Sequence, residues 1–97
     1  MEFVSAKRRV RVPNHDGLHL RAAAVLAQVA KDFRSEIRIR KGDRQADAKC
    51  VFDLLTLAAE CGSDLTLEAR GLDSQEAINA MADTIVNRFR FLERSNA

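Results

Sequence analysis

Two residues in this 97-residue chain combine the right chemistry with the right spacing: His19, and Arg21 two positions later. They lie in the stretch Asn14-His15-Asp16-Gly17-Leu18-His19-Leu20-Arg21-Ala22-Ala23-Ala24, where an extended basic segment gives way to an alanine-rich helical pattern. Gly17 supplies the break, because glycine takes positive φ at little cost. From Leu20 onward, Ala22, Leu26, Val29 and Phe33 recur at helical spacing. His19 therefore falls at or just before a helix start, with Arg21 inside the first turn. Such an end presents unpaired N–H groups and the positive end of the helix dipole, a setting suited to phosphate. A neutral imidazole placed there can act as a nucleophile towards a phosphoryl donor. Arg21 can add a forked pair of donors to the phosphate oxygens. Gly17 and the backbone of Leu20, Arg21 and Ala22 complete a candidate phosphate-binding turn. No Ser or Thr precedes the helix, so unless Asp16 or the His19 ring caps it, its first amides are left for a ligand. His15 reads as a solvated loop residue. Asp16 could orient the turn or His19, but its charge would also repel phosphate.

The elements that must hold this turn follow from periodicity. Lys7 to Val12 alternates, with Val10 and Val12 opposite Arg9 and Arg11, as in a strand with one wet face. A helix is expected from about Leu20 to Asp32. Ile37 and Ile39 then alternate with Arg38 and Arg40, Gly42-Asp43 signals a tight turn, and Arg44 to Lys49 returns. Cys50 to about Ala59 reads as a short apolar helix closed by Gly62. Leu65, Leu67 and Ala69 mark a fourth strand. Asp73 and Glu76 have capping-box spacing before the stripe Ile78, Met81, Ala82, Ile85, Phe89 and Leu92. The order is β-α-β-β-α-β-α. Four half-polar strands and three apolar-faced helices predict an α+β fold with one sheet covered on one side.

Composition bounds the partners. The length suits one small domain spanning 1–97, with its core at about 7–92. At 46% hydrophobic and 31% charged the chain reads as globular, and a net charge of +2 does not argue for nucleic acid. Basic strand faces could carry Arg9, Arg11, Arg38, Arg40 and Arg70, yet none of the five Phe lies on these strands and there is no Trp or Tyr to stack a base. No apolar run is long enough to cross a membrane or to serve as a secretory signal. Cys50 and Cys61 lack metal-ligand spacing, so no metal or cofactor is expected and a reduced, cytoplasmic setting follows.

Gly17-Leu18-His19-Leu20-Arg21 followed by small residues resembles the histidine-containing phosphocarrier (HPr) family of the bacterial phosphoenolpyruvate phosphotransferase system. The likeness continues through Ala46-Asp47-Ala48-Lys49-Cys50-Val51-Phe52 and Leu54 to Leu57, then through Gly62 to Gly71 and Asp73 to about Leu92. It implies an open-faced sandwich, a four-stranded antiparallel sheet with three helices on one face, in a monomer. It also implies that His19 accepts phosphate from phosphorylated enzyme I, on Nδ1, and passes it to enzyme II-type or regulatory proteins. The chain would then be a transfer intermediate more than an independent enzyme. Leu20, Lys49, Val51, Phe52 and Leu55 are the implied partner contacts, because the second block holds more apolar residues than one buried face of a short helix needs. Lys31 could join Lys49 and Arg21 on the rim. Cys50 stands where many family members have a regulatory serine, so phosphorylation there is not expected. Beside Lys49 at a helix start it could serve a redox role, though a small semi-buried packing residue is the better reading. Ala22 stands where proline is usual, and Leu20 where a small residue is usual. A regulatory binding module, docking according to the phosphorylation state of His19 without sugar transport, is the alternative.

Overall fold

The computed structural model describes residues 4–90. In chain order its elements are β1 (Ser5–Arg11), α1 (Leu20–Ala30), β2 (Glu36–Lys41), β3 (Arg44–Asp47), α2 (Val51–Leu55), β4 (Asp64–Arg70) and α3 (Ser74–Val86). The strands form one antiparallel sheet in the order β1-β4-β2-β3. Alternation decides which face is covered. Ile37, Ile39, Ala46, Leu65, Leu67 and Ala69 are buried beneath the helices. Their neighbours Arg38, Arg40, Thr66 and Glu68 point to the other side, as a period of two requires. The expected open-faced sandwich is the observed one.

Helix α1 buries Ala22, Ala23, Leu26, Ala27 and Ala30, one face at helical spacing. Its small side chains let the backbone lie close to α2 and α3, and Leu26 adds a side chain worth about 1.5–3 kcal/mol of burial. Helix α3 closes the layer with Ala77, Ile78, Met81, Ala82 and Ile85. It stops at Val86, short of the stripe's expected length, because Arg88 and Phe89 both take left-handed backbone (φ 62° and 59°). That costs about 1–3 kcal/mol per residue, and the turn drives the Phe89 ring into the core at 2% exposure. Leu92 lies outside the described residues.

Two expected caps are not formed. The Asp73 carboxylate does not cap α3. It accepts instead from the backbone N–H groups of Arg34 and Ser35, each at 2.9 Å, and from the Ser35 hydroxyl. It thereby ties the start of α3 to the start of β2. These donors, the Ser35 hydroxyl first and the Arg34 amide next, hold the Asp73 carboxyl below its usual pKa of 3.8. Nor does α2 run to Ala59 with Gly62 as its stop. It ends at Leu55, where Thr56 Oγ1 turns back to the Asp53 carbonyl at 2.6 Å and Ala58 adopts φ 50°. Leu57 and Ala59 are buried by this irregular path. Gly62 (φ 91°) belongs to the turn into β4, its N–H donating to the Val12 carbonyl at 2.8 Å.

Candidate functional site

The segment that leaves α2 early is a wall for the loop before α1. Ala59 offers its carbonyl to the Leu18 N–H at 2.9 Å, and Leu18 is buried. Gly17 (φ 68°) lies so close to this wall that a Cβ there would come within 2.6 Å of the Ala59 oxygen and 2.9 Å of the Glu60 Cα. Asn14 tightens the turn from the other side. Its carbonyl accepts the Gly17 N–H at 3.1 Å and its side-chain Nδ2 donates to the Gly17 carbonyl at 2.9 Å. Asn14 and Ala59 are the supports that sequence reasoning missed. Asn three residues before Gly is a recognisable turn signal, whereas nothing in the residue type of Ala59 announces its carbonyl.

This loop delivers His19 to the N-cap of α1, with extended backbone (φ −84°, ψ −175°). The ring itself caps the helix: Nδ1 accepts the Arg21 N–H at 3.1 Å. Of the alternatives in the sequence, the imidazole takes that place and Asp16 does not. Because Nδ1 accepts, the proton of the neutral ring resides on Nε2. The side chain is 40% exposed, so the ring is supported and reachable. Ala23 donates to the His19 carbonyl, while the amides of Leu20 and Ala22 have no acceptor among the described residues. Alanine at position 22 therefore leaves an N–H that proline would lack. The Ala22 side chain is buried, and the Arg21 guanidinium is exposed with no pairing side chain among the described residues. His19, Gly17 and the Leu20, Arg21 and Ala22 backbone are thus brought together at one helix end that favours an anion.

The expected partner contacts divide. Phe52 is 78% exposed and Leu20 62%, each at the start of a helix, and these two helices touch. Val51 and Leu55 are half-buried against the core, while Leu54 and Leu57 supply the core itself. Lys49 is half-buried and its Nζ donates to the Phe33 carbonyl at 2.7 Å, whereas Lys31 is exposed. Cys50 is exposed, not semi-buried, because it precedes α2 as its N-cap without a side-chain hydrogen bond. His15 is exposed as expected, with Nδ1 3.3 Å from Asp16 Oδ1. On the uncovered sheet face the cations largely meet acids: Lys7 and Arg40 meet Glu68, Arg11 meets Asp64, and Arg38 meets Glu36. Among the described residues no helix is long and apolar enough to cross a membrane.

Known proteins share this architecture and sequence. Residues 6–87 match the family described as PTS HPr component phosphorylation site. The phosphocarrier protein HPr of Cupriavidus necator is 43% identical over 86% of this chain and 93% of its own length. The phosphocarrier protein NPr of Shewanella violacea is 37% identical over 86% of this chain and 91% of its own. A crystal structure of HPr from Thermoanaerobacter tengcongensis superposes with a TM-score of 0.84 at 33% identity, covering 90% of this chain and 99% of that one.

Proposed function

The chain belongs to the PTS-HPr family, and on that premise we propose that it carries a phosphoryl group on His19, received from phosphorylated enzyme I and passed to enzyme II-type or regulatory acceptors. The observation that carries this reading is the His19 ring at the start of α1, its Nδ1 lone pair aimed at the Arg21 amide 3.1 Å away.

The geometry supports this chemistry. Nδ1 attacks phosphorus, forming the N–P bond as the donor's bond to phosphorus breaks and its electron pair returns to the donor. The Arg21 N–H, released from the nitrogen, turns to a phosphoryl oxygen at the same helix end. The open amides of Leu20 and Ala22 and the Arg21 guanidinium meet the remaining oxygens. Charge on the transferring group is thus met by donors already in place, which is how phosphoryl transfer is promoted without covalent work by other residues. Exposed Leu20 at the start of α1 and exposed Phe52 on α2, which touches α1, offer apolar contact area together with half-buried Val51 and Leu55, and exposed Arg21 and Lys31 favour acidic partner surfaces.

The test is phosphorylation of the pure protein with phosphoenolpyruvate and enzyme I, followed by intact mass before and after mild acid. One acid-labile phosphate, absent from His19→Ala, is expected. An enzyme I of proven activity that leaves the wild-type mass unchanged would refute the reading. Phosphate that loads but moves to no second protein would replace the carrier by a regulatory module.

A further inference from the structure

Asp16 stands beside the His19 ring, and we propose that it is a positioning residue, holding the imidazole in the tautomer whose Nδ1 can attack. The kinetic part of this assignment rests on the proposed function; the tautomer does not. The Asp16 carboxylate lies between two imidazoles. Oδ1 is 3.3 Å from His15 Nδ1 and Oδ2 is 4.0 Å from His19 Nε2. On the far side of the His19 ring, Nδ1 accepts the Arg21 N–H. A neutral imidazole has one N–H and one lone pair. Here the lone pair faces a donor, and Nε2 lies 4.0 Å from a carboxylate, beyond hydrogen-bond reach but within reach of its charge. The opposite tautomer would set N–H against N–H at Arg21 and lone pair against carboxylate at Asp16. Both neighbours therefore select the same form, the one in which Nδ1 is a nucleophile.

The same carboxylate acts on the loaded ring. When Nδ1 bonds to phosphorus no proton leaves, so the ring becomes an N-phosphoryl imidazolium that keeps its Nε2–H. Its positive charge then faces Asp16 across the ring from the phosphoryl group. The carboxylate attracts that ring charge and repels the phosphoryl oxygens, so on the loaded ring its two effects oppose. Asp16 is 70% exposed and His15 fully exposed, so water screens the effect to a factor of about two to five.

The experiment compares wild type, Asp16→Ala and Asp16→Asn in the full chain. The ¹⁵N chemical shifts of the His19 ring at alkaline pH read the tautomer without phosphate, and loading from phosphoenolpyruvate and enzyme I reads the kinetics. Asp16→Ala is expected to move the tautomer ratio about two- to fivefold towards Nδ1–H and to slow loading by a similar factor. Asp16→Asn keeps the size and removes the charge, and at 4.0 Å only the charge reaches the ring, so its ratio and its loading are expected to move as in Asp16→Ala. Unchanged ring shifts in Asp16→Ala overturn the proposal, even if loading slows, and would assign Asp16 to loop shape or docking. If wild type never loads, the phosphocarrier reading falls, while the ring shifts still decide the role of Asp16.

Discussion

Replacing His19 with alanine removes two things at once, and the structure allows them to be separated. One is the proposed nucleophile; the other is the N-cap of α1, a ring nitrogen accepting the Arg21 N–H at 3.1 Å. Losing a capping side chain costs about 1 kcal/mol, within a range of about 0.5–2. For a domain of this size that lowers the melting temperature by roughly 4–8 °C per kcal/mol. His19→Ala should therefore fold, melt several degrees early and accept no phosphate. His19→Asn is the matched control. Asparagine is among the best N-caps, so it should recover the melting temperature to within about 0.5 kcal/mol of wild type and still accept nothing. Calorimetry or circular dichroism gives the first quantity, and intact mass after incubation with phosphoenolpyruvate and enzyme I gives the second. Wild-type stability in His19→Ala would refute the capping argument. Phosphate on either variant would refute the choice of nucleophile.

Other perturbations test the supports. Gly17→Ala should cost about 2–4 kcal/mol, from the positive φ and from a Cβ forced against the Ala59 and Glu60 backbone, and should slow loading; a neutral effect in urea melts would show that the wall is not rigid. Arg21→Ala should slow transfer while leaving the melting temperature within about 0.5 kcal/mol of wild type, and stopped-flow rates equal to wild type would remove it from the site. Phe52→Ala, at a residue 78% exposed, should weaken binding of enzyme I more than it alters stability, whereas the fully buried Leu54→Ala should cost about 2–5 kcal/mol; the reverse order in melts and titration calorimetry would return Phe52 to the core. The Asp73 carboxyl, held below 3.8 chiefly by the Ser35 hydroxyl, contributes stability above its unfolded value and loses it as pH falls through the lower native one. Asp73→Asn should accordingly flatten the acid limb of a stability–pH curve, and an unchanged limb would show the clasp to be without consequence.

What was legible in the sequence is local. The alternation of Ile37 and Ile39 with Arg38 and Arg40 placed β2, and the alanine-rich stripe placed α1, because one buried face imposes a period on neighbouring residues. His19, Arg21 and Gly17 could be read as one turn for the same reason. What escaped depends on partners far along the chain. Asp73 has the spacing of a capping box, but Ser35, 38 positions earlier, competes for its oxygens and wins. The stretch after Leu55 is apolar enough for a longer helix. It is pulled into an irregular path by burial of Leu57 and Ala59 and by the Leu18 N–H donating to the Ala59 carbonyl. Lys49 looks free in sequence and is held by the Phe33 carbonyl, a backbone group that residue type cannot reveal.

The resting ring and a loaded ring draw on the same Arg21 N–H, so a cargo on Nδ1 would exchange one acceptor for another without moving the helix. Such a messenger would change its charge and keep its shape. A partner could then tell full from empty only by electrostatics, through its own cations or acids near the turn. The apolar contacts around Phe52 and Leu20 would grip both forms equally, and release after delivery would be driven by the departure of the charge.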